Sequence, residues 1–305
     1  MPPPPEPQSF QSLFRHRPVV RFAEKVLTQS YVECVPGHET AMRALLEQAF
    51  ATLTEASDDE ALFPAAVAAV STRVFHKPEP DFWFNQLYAR YKRDFKPPDR
   101  FEKLREWLVG ESVLDLGCGN GLTSAVLDQH GYRVYLTDVL DYRDDGAGQL
   151  PFAPMTDPRA IPFPGQQFDT SLVFAVLHHV EAADLLPLVG ELRRRSRRVI
   201  VEEDSYDVPA GLPGLDEVVR RDGLLREFMS LPAPDQRRFL MFVDYFANAL
   251  TQGLPEMDLP FNFKTVGEWQ DLFAAQGFHV AHTLLKGFQA NYFNRSCHVW
   301  FILDA

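Results

Sequence analysis

The chain has 305 residues, 46% hydrophobic and 24% charged, an ordinary globular balance with apolar material enough for one large domain or a core domain with additions. A formal net charge of −12 argues against a nucleic-acid partner gripped through its phosphates, and the three cysteines, Cys34, Cys118 and Cys297, stand too far apart for a zinc site or a disulfide framework. The prolines of MPPPPEPQ do not suit a secretory leader and no apolar run approaches the ~20 residues of a membrane span, so the expectation is a cytoplasmic protein with no membrane partner.

Residues 1–9 read as a disordered proline-rich tail, and 10–97 as a mostly helical N-terminal extension. Within the extension, 10–35 shows a mixed pattern that assigns no element. Segments 39–55 and 60–76 carry apolar residues at three- and four-residue spacing and read as helices. The block 81–95 is dense in rings, among them Phe82, Trp83, Phe84, Tyr88 and Tyr91; FKPPDR then breaks the pattern, and 101–108 resumes as a short helix.

From 112 the rhythm changes to strands alternating with helices. Strands are expected at 112–116, 132–137, 152–155, 170–176 and 198–202, and helices at 123–130, stopped by Gly131, and at 182–195. A further helix over 266–275 is marked by the capping-box spacing of Thr265 and Glu268 and by Gly277 as its stop. Segments 278–285 and 298–303 close the pattern as an antiparallel hairpin. The expected fold is therefore α/β, a doubly wound, Rossmann-like sheet of about seven mostly parallel strands. The core would span 98–204 and 265–305, and a helical insertion at 205–264, rich in Phe and Met, would cover the substrate or form a homodimer surface.

SVLDLGCGNGL at 112–122 places Gly117, Gly119 and Gly121 directly after the first strand, where bare backbone lets a ligand lie on the chain. A phosphate loop needs lysine and then Ser or Thr after its last glycine; Leu122 and Thr123 stand there instead. A dinucleotide fingerprint needs its third glycine or alanine where Leu122 stands. Asp138 ends the second strand 17 positions beyond Gly121, suited to accept hydrogen bonds from both hydroxyls of a ribose, its alternative role being an acidic cap on the next short segment. The spacing thus points to a nucleoside without a pyrophosphate.

VLDLGCGNG at 113–121 resembles the first motif of class I S-adenosylmethionine-dependent methyltransferases, and the resemblance runs over 110–204 and more loosely over 265–303. It implies S-adenosylmethionine as cofactor, with the glycine loop under its methionine part, Asp115 helping to hold that loop and Asp138 on the ribose. DPRAIPF at 157–163 is similar to the family's stretch whose aspartate, here Asp157, meets the adenine amino group, a turn residue being its alternative role. Cys118, Val139, Phe174 and Tyr88 complete the expected cofactor-binding set; Tyr88 would reach the methionine carboxylate, unless its ring merely fills a core. Only 13 residues separate Asp138 from Phe152, so the helix usual there must be shortened or replaced by a loop.

A sulfonium methyl is already electrophilic, so alignment of a nucleophile comes first and proton removal second. His178 and His179 follow the fourth strand and are the candidate bases, packing being their alternative role. Phe174-Ala175-Val176 replaces the Asn/Asp-Pro-Pro-aromatic motif of enzymes that methylate base amines, which again disfavours nucleic acid. Glu202, Glu203 and Asp204 read as a solvated rim, with no metal expected. The expected activity is methyl transfer to a small organic acceptor in specialised metabolism, oxygen ahead of carbon or nitrogen. The alternatives are a catalytically silent S-adenosylmethionine-binding regulatory or scaffolding protein and, third, an NAD-dependent oxidoreductase.

Overall fold

The computed structural model describes residues 9–76, 79, 82–253 and 259–305; of the expected tail only Ser9 is among them. The chain divides into two bodies. One comprises Arg90–Val218, Lys264–Lys286 and His298–Ala305; the other takes in the chain up to Ala89 together with Val219–Phe263 and Gly287–Cys297.

The first body is built on a sheet of β1 (Ser112–Leu116), β2 (Arg133–Asp138), β3 (Phe152–Pro154), β4 (Phe168–Phe174), β5 (Ser196–Tyr206), β6 (Lys264–Thr265), β7 (His279–Gly287) and β8 (His298–Asp304). The order is β3-β2-β1-β4-β5-β8-β7, with the two-residue β6 beside β5. β1 to β5 pair in parallel and β8 runs antiparallel to β5. This is the doubly wound α/β sheet with its C-terminal hairpin; β6 is the added strand, too short to leave a periodic signal. β1 is buried along its whole length because helices cover both faces of a parallel sheet. Val113, Leu136, Leu172, Ile200 and Ile302 meet in its interior.

Leu122–Gln129, Ala182–Arg195 and Val266–Ala275 are the helices of this body that the pattern announces. The last starts on a true capping box: Thr265 Oγ1 accepts from Glu268 N at 3.1 Å, and the Glu268 carboxylate accepts from Thr265 N at 2.8 Å. FKPPDR does not break a helix but begins one. Pro97 and Pro98 sit in the first turn of Lys96–Leu104, where no N–H is needed for an intrahelical bond and the fixed φ suits the helix. β2 and β3 lie on one side of β1 and β4 and β5 on the other. Strand order reverses between β1 and β4, and the crevice outside their carboxyl ends is where such sheets take ligands.

The second body is helical. The unassigned stretch 10–35 forms Phe10–Phe14 and Arg17–Glu33, the first capped by Ser9 and the second carrying Pro18 in its first turn. Glu39–Ala56 follows; the helix expected over 60–76 is Phe63–Val70 continued by a π-helical turn, Ser71–Phe75. Trp83–Arg90, which lies in this body up to Ala89, Gly223–Ser230, Ala233–Tyr245 and a second π-helical turn, Phe246–Thr251, follow. Rings make the interior: Phe10 stacks on Tyr245 at 3.8 Å, and Phe14 meets Phe242 at 4.9 Å. The buried Tyr31 hydroxyl donates to Asn294 Oδ1 at 2.8 Å and touches Thr251 Oγ1, and buried Arg295 pairs with Glu33. Among the described residues no helix is long and apolar enough to cross a membrane.

Candidate functional site

The turn leaving β1 is fixed from below. Gly117 and Cys118 donate their N–H groups to Thr137 O at 2.8 and 3.2 Å, and Gly119 N donates to Asp138 Oδ2 at 2.8 Å. Gly117 has φ +73° and a Cβ there would overlap Val176 Cγ2, so only glycine fits. Gly119, at φ +56°, is different: a Cβ there would find no atom closer than 3.9 Å, the Tyr142 hydroxyl. Above Gly119 the chain thus leaves space that no side chain fills. Gly121 continues the turn as the cap of Leu122–Gln129.

Asp115 lies buried beneath this loop and accepts from Ser124 Oγ at 2.7 Å. Burial pushes its carboxyl up to about 6, against the opposing pull of the Ser124 hydrogen bond and of Arg100. Half-buried Cys118 has its thiol pushed well up, by burial first and then by Asp115 and Asp138, so it offers packing rather than nucleophilicity.

Asp138 Oδ1 accepts from its neighbour Val139 N at 2.7 Å, so both carboxylate oxygens are anchored to backbone. The Leu140 N–H also bears on the carboxylate, and of its four lone pairs at least one remains for a ligand hydroxyl. Burial raises its carboxyl, partly offset by the backbone bonds and by His179. Beyond it Val139 and Leu140 are 60% and 57% exposed, an apolar shelf next to the glycine turn. The short connection to β3 contains only a 3-10 turn, Asp145–Ala147, and is tied back to the glycine turn by Asp144 N donating to Asn120 O at 3.0 Å. Asp157 is exposed on the loop after β3, where its Oδ1 accepts from Arg159 N at 2.9 Å.

At the end of β4, Phe174 is half-buried, with the Arg100 guanidinium 4.6 Å over its ring and Trp300 stacked at 6.0 Å. The three acids of β5 do not form a solvated rim. Glu202, Glu203 and Asp204 are 5%, 0% and 8% exposed, because β5 runs on to Tyr206 and carries them inside. Each finds its own partner. Glu202 accepts from Arg100 Nη2 at 2.8 Å and from Trp300 Nε1 at 2.5 Å; Glu203 Oε2 lies 2.6 Å from His178 Nδ1; Asp204 pairs with His298 at 2.7 Å. Burial alone would raise Glu202, but Arg100, His298 and the Trp300 bond outweigh it and hold the carboxyl at about 2.

Asp115, Gly117, Cys118, Gly119, Gly121, Asp138, Val139 and Phe174 therefore stand at the carboxyl ends of β1, β2 and β4. Tyr88 belongs to the helical body, where its ring stacks on Phe84 at 5.6 Å and meets Phe293 edge-on at 5.1 Å. His178 is buried and turned onto Glu203, while His179 is half-buried and near enough to influence Asp138. Arg100, Trp300 and Ser124 did not stand out in the sequence. Arg100 and Trp300 lie about a hundred residues from Glu202, and no local spacing announces such pairs.

Residues 114–198 match the family profile described as a methyltransferase domain. No curated protein matches the chain. Among solved structures, a protein of Pyrococcus horikoshii aligns at 19% identity over 70% of this chain and 95% of its own, TM-score 0.44. A SAM-dependent methyltransferase of Methanosarcina mazei aligns at 16% identity over 66% and 96%, TM-score 0.43. The magnesium protoporphyrin IX methyltransferase of Synechocystis, solved with bound SAM, aligns at 16% identity over 75% and 86%, TM-score 0.42. At identities and scores this low, no property of those proteins transfers to this chain.

Proposed function

We propose that the core, whose residues 114–198 match a methyltransferase domain, is a class I S-adenosylmethionine-dependent methyltransferase that methylates a small organic acceptor, with oxygen favoured over nitrogen or carbon as the acceptor atom. The observation that carries the reading is the open space over Gly119 beside the doubly anchored Asp138 carboxylate, at the point where strand order reverses. The bound cofactor supplies an electrophilic methyl on sulfur. Gly117 to Gly121 lie under its methionine part, Asp138 accepts from the ribose hydroxyls, Val139 flanks the adenine and Asp157 faces the adenine amino group. Phe174, clamped between Arg100 and Trp300, forms the wall at the end of β4. His179 is the better placed of the two histidines to take a proton, because it is half-buried beside Asp138 while His178 is fully buried. The net charge of −12 supports an acceptor other than nucleic acid, and three free cysteines suit the cytoplasm.

The test is calorimetric titration with S-adenosylmethionine, S-adenosylhomocysteine and NAD. The adenosyl compounds bind and NAD does not. Asp138→Ala weakens the adenosyl compounds roughly 10- to 100-fold, as expected for losing hydrogen bonds to a charged acceptor. Binding of NAD alone defeats the proposal. A second reading, a cofactor-binding regulatory protein without turnover, is favoured by the pairing of Glu202, Glu203, Asp204 and His178 among the core's own residues. Release of S-adenosylhomocysteine in the presence of an extract of phenols and organic acids separates the two.

A further inference from the structure

We propose that Glu203 is a positioning residue for the glycine turn, acting from β5 through the turn that follows β4. Its carboxylate is fully buried and surrounded by donors. Oε1 accepts from Val176 N at 3.1 Å and from Leu177 N at 2.7 Å, and Oε2 faces His178 Nδ1 at 2.6 Å. One side chain thus holds three consecutive residues. A carboxylate only accepts, so this arrangement requires the proton of the His178 ring to sit on Nδ1.

What it holds is a backbone that would not choose this path. Ala175 has φ +55°, the left-handed region in which a side chain costs of order 1–3 kcal/mol unless the surroundings over-determine it. On one side Ala175 N is fixed to Glu202 O at 2.8 Å, the last rung of the β4–β5 ladder. On the other side Val176 N donates to Glu203 Oε1. The sharp turn between these two points swings Val176 toward β1. There its Cγ2 fills the place a Cβ of Gly117 would need. The chain of contact is therefore Glu203 to Val176 to Gly117, and Gly117 opens the turn whose next glycine lies under open space.

The role rests on the cofactor reading above only for its consequence: moving Val176 moves the floor on which the methionine part lies. It does not rest on that reading for its geometry. Glu203 touches neither the reacting atoms nor the cofactor, so its effect appears in cofactor binding and not in the chemical step.

A double-mutant cycle between Glu203→Gln and Val176→Ala tests this, with S-adenosylhomocysteine affinity read by calorimetry and folding by thermal melts. Gln keeps the volume and one accepting oxygen but cannot serve all three donors. Each single variant weakens binding roughly tenfold, and the double variant also roughly tenfold instead of ~100-fold, because both changes act on one contact chain. In an assayed reaction KM for S-adenosylmethionine rises while kcat stays within about threefold. Binding by Glu203→Gln within about twofold of the parent, or losses that multiply in the double variant, overturns the proposal. If Glu203→Gln does not fold, Val176→Ala decides: weaker binding at an unchanged melting temperature supports the chain of contact, and unchanged binding refutes it. If the parent protein binds no adenosyl compound, the methyltransferase reading fails by itself. Amide exchange then still judges the positioning: faster exchange in Glu203→Gln at both 175–178 and 117–119 supports it, and exchange unchanged at 117–119 defeats it.

Discussion

Gly117 and Gly119 share a motif, a left-handed φ and a place in one turn, yet their surroundings differ, and substitution separates them. Gly117→Ala drives a methyl into Val176 and adds the left-handed penalty, so it lowers stability by roughly 2–4 kcal/mol, read as a fall in melting temperature. Gly119→Ala adds only the backbone strain, of order 1 kcal/mol, because nothing lies within 3.9 Å of its Cβ. It therefore folds, but places a methyl in the open space that the proposed function gives to the cofactor, and titration with S-adenosylhomocysteine is expected to show binding lost at a nearly intact melting temperature. Asp115 gives a second residue-scale expectation. Its carboxyl, near 3.8 in the unfolded chain, stands at about 6 when folded, so the native state binds the proton more tightly and loses stability as pH climbs between those values. Asp115→Asn keeps the oxygen that accepts from Ser124 and cannot ionise. Its melting temperature relative to the parent rises between pH 4 and pH 7, and an offset independent of pH would disprove the assignment. The glycine turn, Asp138 and the shortened connection after it were legible because each is a matter of spacing along a few residues. Glu202, Glu203 and Asp204 were not. A run of three acids looks solvated until one knows that β5 continues to Tyr206 and that Arg100, His178 and His298 come to meet it.

Single elements show where local signals suffice. The helix Val266–Ala275 was readable to the residue because its capping box is a property of four neighbouring positions, and Thr265→Ala costs about 1 kcal/mol in a urea melt. The helix Lys96–Leu104 starts where FKPPDR suggests a break, because proline breaks a helix in its interior but fits its first turn. The helix Arg17–Glu33 went unassigned although Val19, Val20, Ala23, Val26, Leu27 and Tyr31 are all buried, a face in the right period. Lys96–Leu104 is also pinned to β5 by the Arg100–Glu202 pair, and this makes the link sensitive to acid. Glu202 titrates at 4.5 when unfolded and at about 2 when folded, so its contribution is fully present above 4.5 and disappears as pH falls toward 2. The shift corresponds to about 3 kcal/mol. Denaturant melts between pH 5 and pH 2.5 show this loss in the parent, while Glu202→Gln, weaker at neutral pH because Arg100 then faces a neutral amide in place of a carboxylate, has a flatter acid limb. Parallel acid limbs for the two proteins would contradict the pairing.

At the scale of the whole chain the two bodies are interleaved: the path passes from one to the other five times, and 287–297, between the strands of the C-terminal hairpin, belongs to the helical body. Nothing in composition or periodicity announces this, because which body a segment joins is decided by contacts far away in sequence. Tyr31 with Asn294, and Glu33 with Arg295, are such contacts, more than 250 residues apart. The site residues at the ends of β1, β2 and β4 lie in one body only, so a ligand there stabilises that body through mass action without needing any change in the other. At a hundredfold excess over its dissociation constant, S-adenosylhomocysteine adds about 2.7 kcal/mol, which moves the melting temperature of a body of 150–250 residues up by roughly 5–10 °C. The increment grows with the logarithm of ligand concentration and falls to about 0.4 kcal/mol in Asp138→Ala at the same concentration if that variant binds a hundredfold more weakly. NAD, which the leucine at 122 leaves without its third glycine, produces no shift. A scan in which NAD stabilises the protein and the adenosyl compounds do not would reverse the choice of ligand while leaving the crevice where the strand order puts it.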